Sequence, residues 1–228
     1  MDTYFQRAGD ASSAKLEIQV GVDEAGRGCM MGPVCAAAVI WDPSVPHEGI
    51  NDSKKLSRKR RAALRTYIEE RAIAFGVGFA DVEEIDHVNI LQATYRAMHR
   101  ALDRILEKGS SFDRVLVDGD RFPPYRFVVH NCIPGGDAKH VCIAAASILA
   151  KEYHDEWVMT KVPAEVRERY DLANNRGYGT KTHMAALATH GLSASHRRTF
   201  CKKFLSSFQD EEADEEEDDT KKTLNWVS

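Results

Sequence analysis

Apolar and polar residues alternate through "LEIQVGVD" (16–23), with Ile18, Val20 and Val22 on one side. A period of two marks a strand with one buried face. "PVCAAAVIW" (33–41) is apolar almost throughout, as expected of a strand covered on both faces. "IAFGVGFA" (73–80) reads as a third strand. Ahead of the first long helix, these three predict an antiparallel meander. A helix over "LSRKRRAALRTYIEERA" (56–72) falls between the second and third, with Ser57 as its N-cap.

Further on, "NILQATYRAMHRALDRILEKG" (89–109) repeats apolar residues at Ile90, Ala93, Ala97, Ala101 and Ile105, close to helical spacing, and Gly109 stops it. "DRVLVDGD" (113–120) and "RFVVHN" (126–131) read as strands, and "VCIAAASILAKEYHDEWVMTKV" (141–162) as a long helix. From Pro163 to about Phe208 the pattern gives loops and shorter helices. The order β-β-α-β-α-β-β-α, then helices, predicts an α/β fold with a mixed sheet covered by helices. No repeat or long linker divides it.

Composition adds bounds. Of 228 residues, 43% are apolar, enough for one domain with a real core. No run approaches the ~18 apolar residues of a membrane span, and the N-terminus lacks the apolar stretch of a secretory signal. A cytoplasmic protein without membrane contact is expected. Five cysteines without C-x-x-C spacing argue for free thiols rather than a disulfide framework. The net charge of −4 is shaped by "DEEADEEEDD" (210–219), which holds nine acids. Residues 1–209 carry 29 Lys+Arg against 26 Asp+Glu, or +3. So dense a run of one charge repels itself and is expected to be disordered. The expected division is a flexible lead (1–15), one catalytic domain (16–208) and an acidic tail (209–228).

Candidate chemistry starts at "VDEAGRG" (22–28). Asp23 and Glu24 would point to opposite faces of a strand and converge only if the chain bends, which Gly26 and Gly28 make cheap. Converging carboxylates repel unless a cation lies between them, and hard divalent cations take oxygen ligands. Asp118 ends a strand and precedes Gly119; Asp137 sits in "PGGDAKH", where it could equally cap the next helix. Four acids brought together would hold two divalent metals, a site for in-line displacement at phosphorus. No convincing Ser-His-Asp or Cys-His arrangement competes. Basic clusters at Lys54, Lys55, Arg58, Lys59, Arg60 and Arg61, and at His196, Arg197, Arg198, Lys202 and Lys203, suit a nucleic-acid backbone, although either could be a solvated face. In "NRGYGTKTH" (175–183), Tyr178 stands between glycines, able to stack on a sugar or base. Thr180 and His183 could cap the helix that follows or touch phosphate.

These motifs together resemble type 2 ribonuclease H, most closely the ribonuclease HII of bacteria. The resemblance covers residues 16–204 through "GVDEAGRG", "GPVCAAAVI", "DSKKLS", "NILQATYRAM", "VLVDGD", "GD" before "IAAASILAKEYHDEW", "GYGTKTH" and "HRRTF", in family order. It implies a ribonuclease H-like fold, a five-stranded mixed sheet flanked by helices with a C-terminal helical region. It implies that Asp23, Glu24, Asp118 and Asp137 bind Mg²⁺ or Mn²⁺ and carry catalysis. The backbone of Gly26, Arg27 and Gly28 would read the ribose 2′-hydroxyl, with Arg27 on phosphate. Tyr178 would stack on the sugar, and Lys54 and Lys55 would hold phosphates; beside these, the pattern read above makes Thr180, His183, Arg197 and Arg198 further candidate substrate contacts. The implied reaction is hydrolysis of RNA in an RNA–DNA hybrid, or 5′ to one ribonucleotide in duplex DNA, leaving 3′-hydroxyl and 5′-phosphate ends. That chemistry serves ribonucleotide removal in replication and repair. A monomer is the family default. Cys29 and Met30 depart from the usual pattern but lie outside the metal set. The tail is also a departure: solvated, a nucleic-acid mimic, or a contact for another protein. Two rivals remain, a binder that has lost catalysis and a junction resolvase. The intact acids oppose the first, and the GRG and GYG pair opposes the second.

Overall fold

The computed structural model describes residues 17–47 and 49–202. The lead over 1–15 and the acidic tail (209–228) lie outside the described residues. Strands β1 (Gln19–Ala25) and β2 (Val34–Ile40) precede helix α1 (Arg58–Arg71). Then come β3 (Ala74–Ala80), α2 (Val82–Val88), α3 (Ile90–Glu107), β4 (Arg114–Asp118), β5 (Val129–Ile133) and α4 (Val141–Lys161). Three shorter helices follow: α5 (Ala164–Arg169), α6 (Leu172–Asn175) and α7 (Lys181–His190). The sheet order is β3-β2-β1-β4-β5. β1, β2 and β3 form the expected antiparallel meander, while β4 and β5 run parallel to β1.

The apolar run of β2 has a direct cause. Ala36, Ala38 and Ile40 pack with Ala97, Ala101 and Ile105 of α3 on one face. Ala37 and Val39 pack with Ile68 of α1 and Ala145, Ile148 and Leu149 of α4 on the other. Helices on both faces leave the strand no polar side. Gly21 lets α4 cross β1 closely, because a Cβ there would collide with the backbone of Cys142 and Ile143. A third cluster, with Met31, Val158, Tyr170, Leu172 and Leu187, joins the C-terminal helices to the loop after β1.

Ser57 caps α1 as expected, its Oγ accepting from the Arg60 amide. Gly109 ends α3 with φ 82°. The last strand differs. Residues 125–128 form a turn closed by the Val128 amide on the Tyr125 carbonyl, with Arg126 at φ 49°, so β5 begins three residues later than the pattern predicts. α2 was not anticipated: it has seven residues and buries only Ile85. All five cysteines are free thiols. Among the described residues, no helix is long and apolar enough to cross a membrane.

Candidate active site

β1 sits where the sheet changes from antiparallel to parallel neighbours. Sheets of this kind bind ligands at the carboxyl ends of strands beside such a switch. The register pairs Val22 with Val117, so the next residues, Asp23 within β1 and Asp118 at the end of β4, follow the last pair of that ladder. Strand β1 continues through Glu24 to Ala25, and the bend comes at Gly26, with φ 85°. Asp23 Oδ1 accepts the Glu24 main-chain amide at 2.7 Å, and the Asp23 carboxyl feels the charge of Glu24. Asp137 arrives on a single 3-10 turn, Gly136–Ala138, after β5. It is not the N-cap of α4, a position His140 takes. The amide of Gly136 donates to Asp118 Oδ1 at 2.7 Å, which ties this turn to β4.

The four acids share one electrostatic field. Burial pushes the Asp23 carboxyl well above the usual range, and Glu24 and Asp118 push it further, against hydrogen bonds from Ser147 and the Glu24 amide. Burial raises Glu24; Arg27 opposes this and Asp118 adds to it. Burial raises Asp137, followed by Asp118 and Asp52. Asp118 is thus felt by all three others. Such a set disfavours its own ionisation and favours a bound cation. All its donors are hard oxygens, which fits a divalent ion such as Mg²⁺ or Mn²⁺. Among the described residues, no three side chains are drawn together into a closed ion cage, and like-charge repulsion acts in that direction.

Beside the acids lies an open cleft of about 220 Å³, lined by Asp23, Glu24, the 26–28 loop, Lys54, Lys151 and Tyr178 among others. Arg27 Nη1 lies 3.1 Å from Glu24 Oε1, and its side chain is half exposed. A Cβ at Gly26 would strike the His154 imidazole, while one at Gly28 would lie 3.9 Å from Tyr178 Cε1. Cys29 and Tyr178 form an isolated antiparallel bridge, so the GRG and GYG loops are neighbours. Tyr178 is 37% exposed. Lys54 reaches the cleft from a 3-10 turn capped by Asp52; Lys55, on the same turn, is exposed and 3.9 Å from Asp52.

The C-terminal candidates divide differently. Thr180 caps α7, with Oγ1 accepting from the His183 amide. His183 is fully buried, its Nε2 3.1 Å from His196 Nε2 and its Nδ1 3.0 Å from the Tyr178 carbonyl oxygen. Arg197 is also fully buried and spends its guanidinium on backbone carbonyls. Neither His183 nor Arg197 can meet a phosphate from these positions, which corrects the sequence expectation for both. Arg198 is exposed, its amide bound to Asp86. Arg61 also turns inward, to Glu152 at 2.9 Å and the Leu56 carbonyl at 2.8 Å.

Sequence reasoning missed Ser147, Lys151 and Asp155 of α4. Ser147 bonds Ser53 at 3.0 Å; Lys151 Nζ lies 2.8 Å from Asp155 Oδ1 and 5.0 Å from the Tyr178 ring centroid. Their spacing of four was the available signal, a polar stripe on a helix with mostly apolar faces.

The five-stranded sheet, antiparallel on one side of β1 and parallel on the other with helices on both faces, is that of a ribonuclease H-like fold. A sequence profile described as Ribonuclease HII matches residues 20–203. Ribonuclease HII of Parabacteroides distasonis is 47% identical over 183 residues, 80% of this chain and 89% of that protein. Ribonuclease HII of Acinetobacter baylyi is 47% identical over 180 residues, 79% of this chain and 93% of that protein. Among solved structures, ribonuclease H2 from Pyrococcus horikoshii OT3 superposes with a TM-score of 0.65 at 23% identity, covering 84% of this chain and 98% of that one. The ribonuclease HII of a PCNA complex from Archaeoglobus fulgidus gives 0.62 at 23% identity, covering 79% and 93%. These two likenesses speak for the fold. The chain belongs to the ribonuclease HII family, and it is a type 2 ribonuclease H, an endonuclease of RNA–DNA hybrids.

Proposed function

We propose that this enzyme cuts the RNA strand of hybrids and also cuts 5′ to a single ribonucleotide in duplex DNA. Asp23, Glu24, Asp118 and Asp137 are the ligands for a pair of divalent cations. When bound, such ions lower the pKa of water and neutralise charge developing on phosphate oxygens. The observation that supports the reading is that acids from three distant segments feel one another's charge, two of them, Asp23 and Glu24, lining a cleft with the GRG loop and Tyr178.

The chain's own groups have separable tasks. The Asp23 and Glu24 carboxylates supply anionic oxygen at the end of a rigid strand. Gly136 fixes Asp118 through its amide. Arg27 opposes the upward push of burial on the Glu24 carboxyl and has further N–H donors for a phosphate oxygen. Lys54 adds a second cation to the lining of the cleft. Tyr178 offers a ring face to the sugar beside the scissile bond, braced by the Lys151 ammonium. The amides of the GRG loop select for the ribose hydroxyl. The reading implies a cytoplasmic role in removing ribonucleotides from DNA.

The test is cleavage of three duplexes with Mg²⁺ or Mn²⁺: a full hybrid, DNA with one ribonucleotide, and all-DNA. Cutting of the first two, with 3′-hydroxyl and 5′-phosphate ends, is expected. Equal cutting of all three would point to a general nuclease, and cutting of the hybrid alone would remove the single-ribonucleotide activity.

A further inference from the structure

Arg197 lies in a basic run, yet it is among the largest fully buried side chains. Its Nε donates to the Gly32 carbonyl at 2.9 Å, and Nη1 to that of Arg27 at 3.0 Å. Nη2 donates to the carbonyls of Gly26 and Pro33, each at 2.8 Å. Four acceptors thus come from one loop, residues 26–33. A guanidinium buried against neutral carbonyls is held down to about 10 by desolvation. Its backbone is bound to the same loop: its amide donates to Met30 at 2.8 Å, and Gly32 donates to Ser195 at 2.9 Å.

Peptide planarity turns these bonds into an orientation. In a trans peptide, the C=O and the N–H of the next residue point in opposite directions. The Gly26 carbonyl shares a plane with the Arg27 amide, and the Arg27 carbonyl shares one with the Gly28 amide. Drawing both carbonyls inward turns both amides outward, on the side of the cleft that these residues line. Neither amide has a protein acceptor among the described residues.

We propose that Arg197 is a positioning residue for ribose discrimination, holding the Arg27 and Gly28 amides toward the 2′-hydroxyl without touching substrate. This rests on the reading that the GRG loop senses that hydroxyl. The wild-type protein tests that reading first, by its rate on a duplex with one ribonucleotide against the all-deoxy duplex. Absence of selectivity there would refute the reading of the loop and, with it, the role of Arg197.

Given a selective wild type, Arg197→Lys and Arg197→Met are compared, with thermal melts to confirm folding. The expected result is a kcat roughly 10–100-fold lower on the ribonucleotide duplex, as for a misplaced binding group. KM should move less than about threefold, and the ribo/deoxy ratio should fall with kcat. A raised KM with kcat and selectivity intact would make Arg197 a phosphate ligand and overturn the proposal. Unchanged kinetics would do the same. Should both variants fail to fold, wild-type protein supplies the answer. Scalar couplings from the Arg197 guanidinium to the Gly26 and Arg27 carbonyl carbons should persist when the ribonucleotide duplex binds with Ca²⁺. Their loss on binding would show the guanidinium leaving for substrate and would end the proposal.

Discussion

Asp118 is the most informative single residue. It is the acid felt by the other three, and Gly136 holds it through one oxygen. Asn keeps an oxygen for that amide and loses only the charge. Asp118→Asn should therefore fold, bind hybrid duplex measurably, and cut slower by on the order of 10²–10³-fold or more. Single-turnover cleavage and duplex titration check both halves; near-wild-type turnover would take Asp118 out of the metal set. The placement of Asp118 was legible, because a carboxylate ending an apolar strand is conspicuous. That of Arg197 was not. A run of basic residues reads as surface, and only tertiary packing reveals that one of them is buried under the loop it serves.

At the scale of elements, α7 is pinned to the following segment by two imidazoles. The Ser193 amide donates to His196 Nδ1 at 2.9 Å, which leaves the proton on Nε2. That N–H meets His183 Nε2, and the His183 Nδ1–H is left to donate to the Tyr178 carbonyl. Tyr170 packs against both rings and also meets His190, and no carboxylate pairs with either imidazole of the bonded pair among the described contacts. Burial, then His183, holds His196 down to about 4, against 6.5 for the free group. The unfolded chain therefore takes up a proton first as pH falls. The pair's contribution is intact above about 6.5 and is lost progressively toward 4, up to roughly 2–3 kcal/mol. Urea unfolding from pH 7.5 to 4.5 should show stability declining across that window. In His196→Gln the part of the decline due to this group should vanish, and an identical slope would exclude the pair. None of this was visible in sequence, since the two histidines are thirteen residues apart and their environment comes from packing. The strands and long helices were visible, because helices on both faces of the sheet impose continuous apolar runs. α2 was not, for seven residues give too little periodicity.

For the molecule as a whole, the carboxylate cluster sets function against stability. Asp23 is buried among like charges, an arrangement that works against folding and that a bound cation would relieve. Two effects of opposite sign follow. Mg²⁺ or Mn²⁺ at about a hundredfold excess over Kd should stabilise the wild type by roughly 3 kcal/mol, or about 5–10 °C in Tm. Asp118→Asn removes the charge that the other three acids feel. Without metal it should melt above the wild type, by an amount worth about 1 kcal/mol, as substitutions in strained sites often do. With metal it should gain much less than the wild type, so the two melting curves should cross in order as the ion is added. Calorimetry with chelator and then with increasing divalent ion measures this without any turnover. If the variant gained as much as the wild type, the ions would be binding elsewhere. If it melted lower without metal, the acids would not be repelling one another. A crossing would tie the stability of the whole chain to the same charges that are proposed to hold the ions.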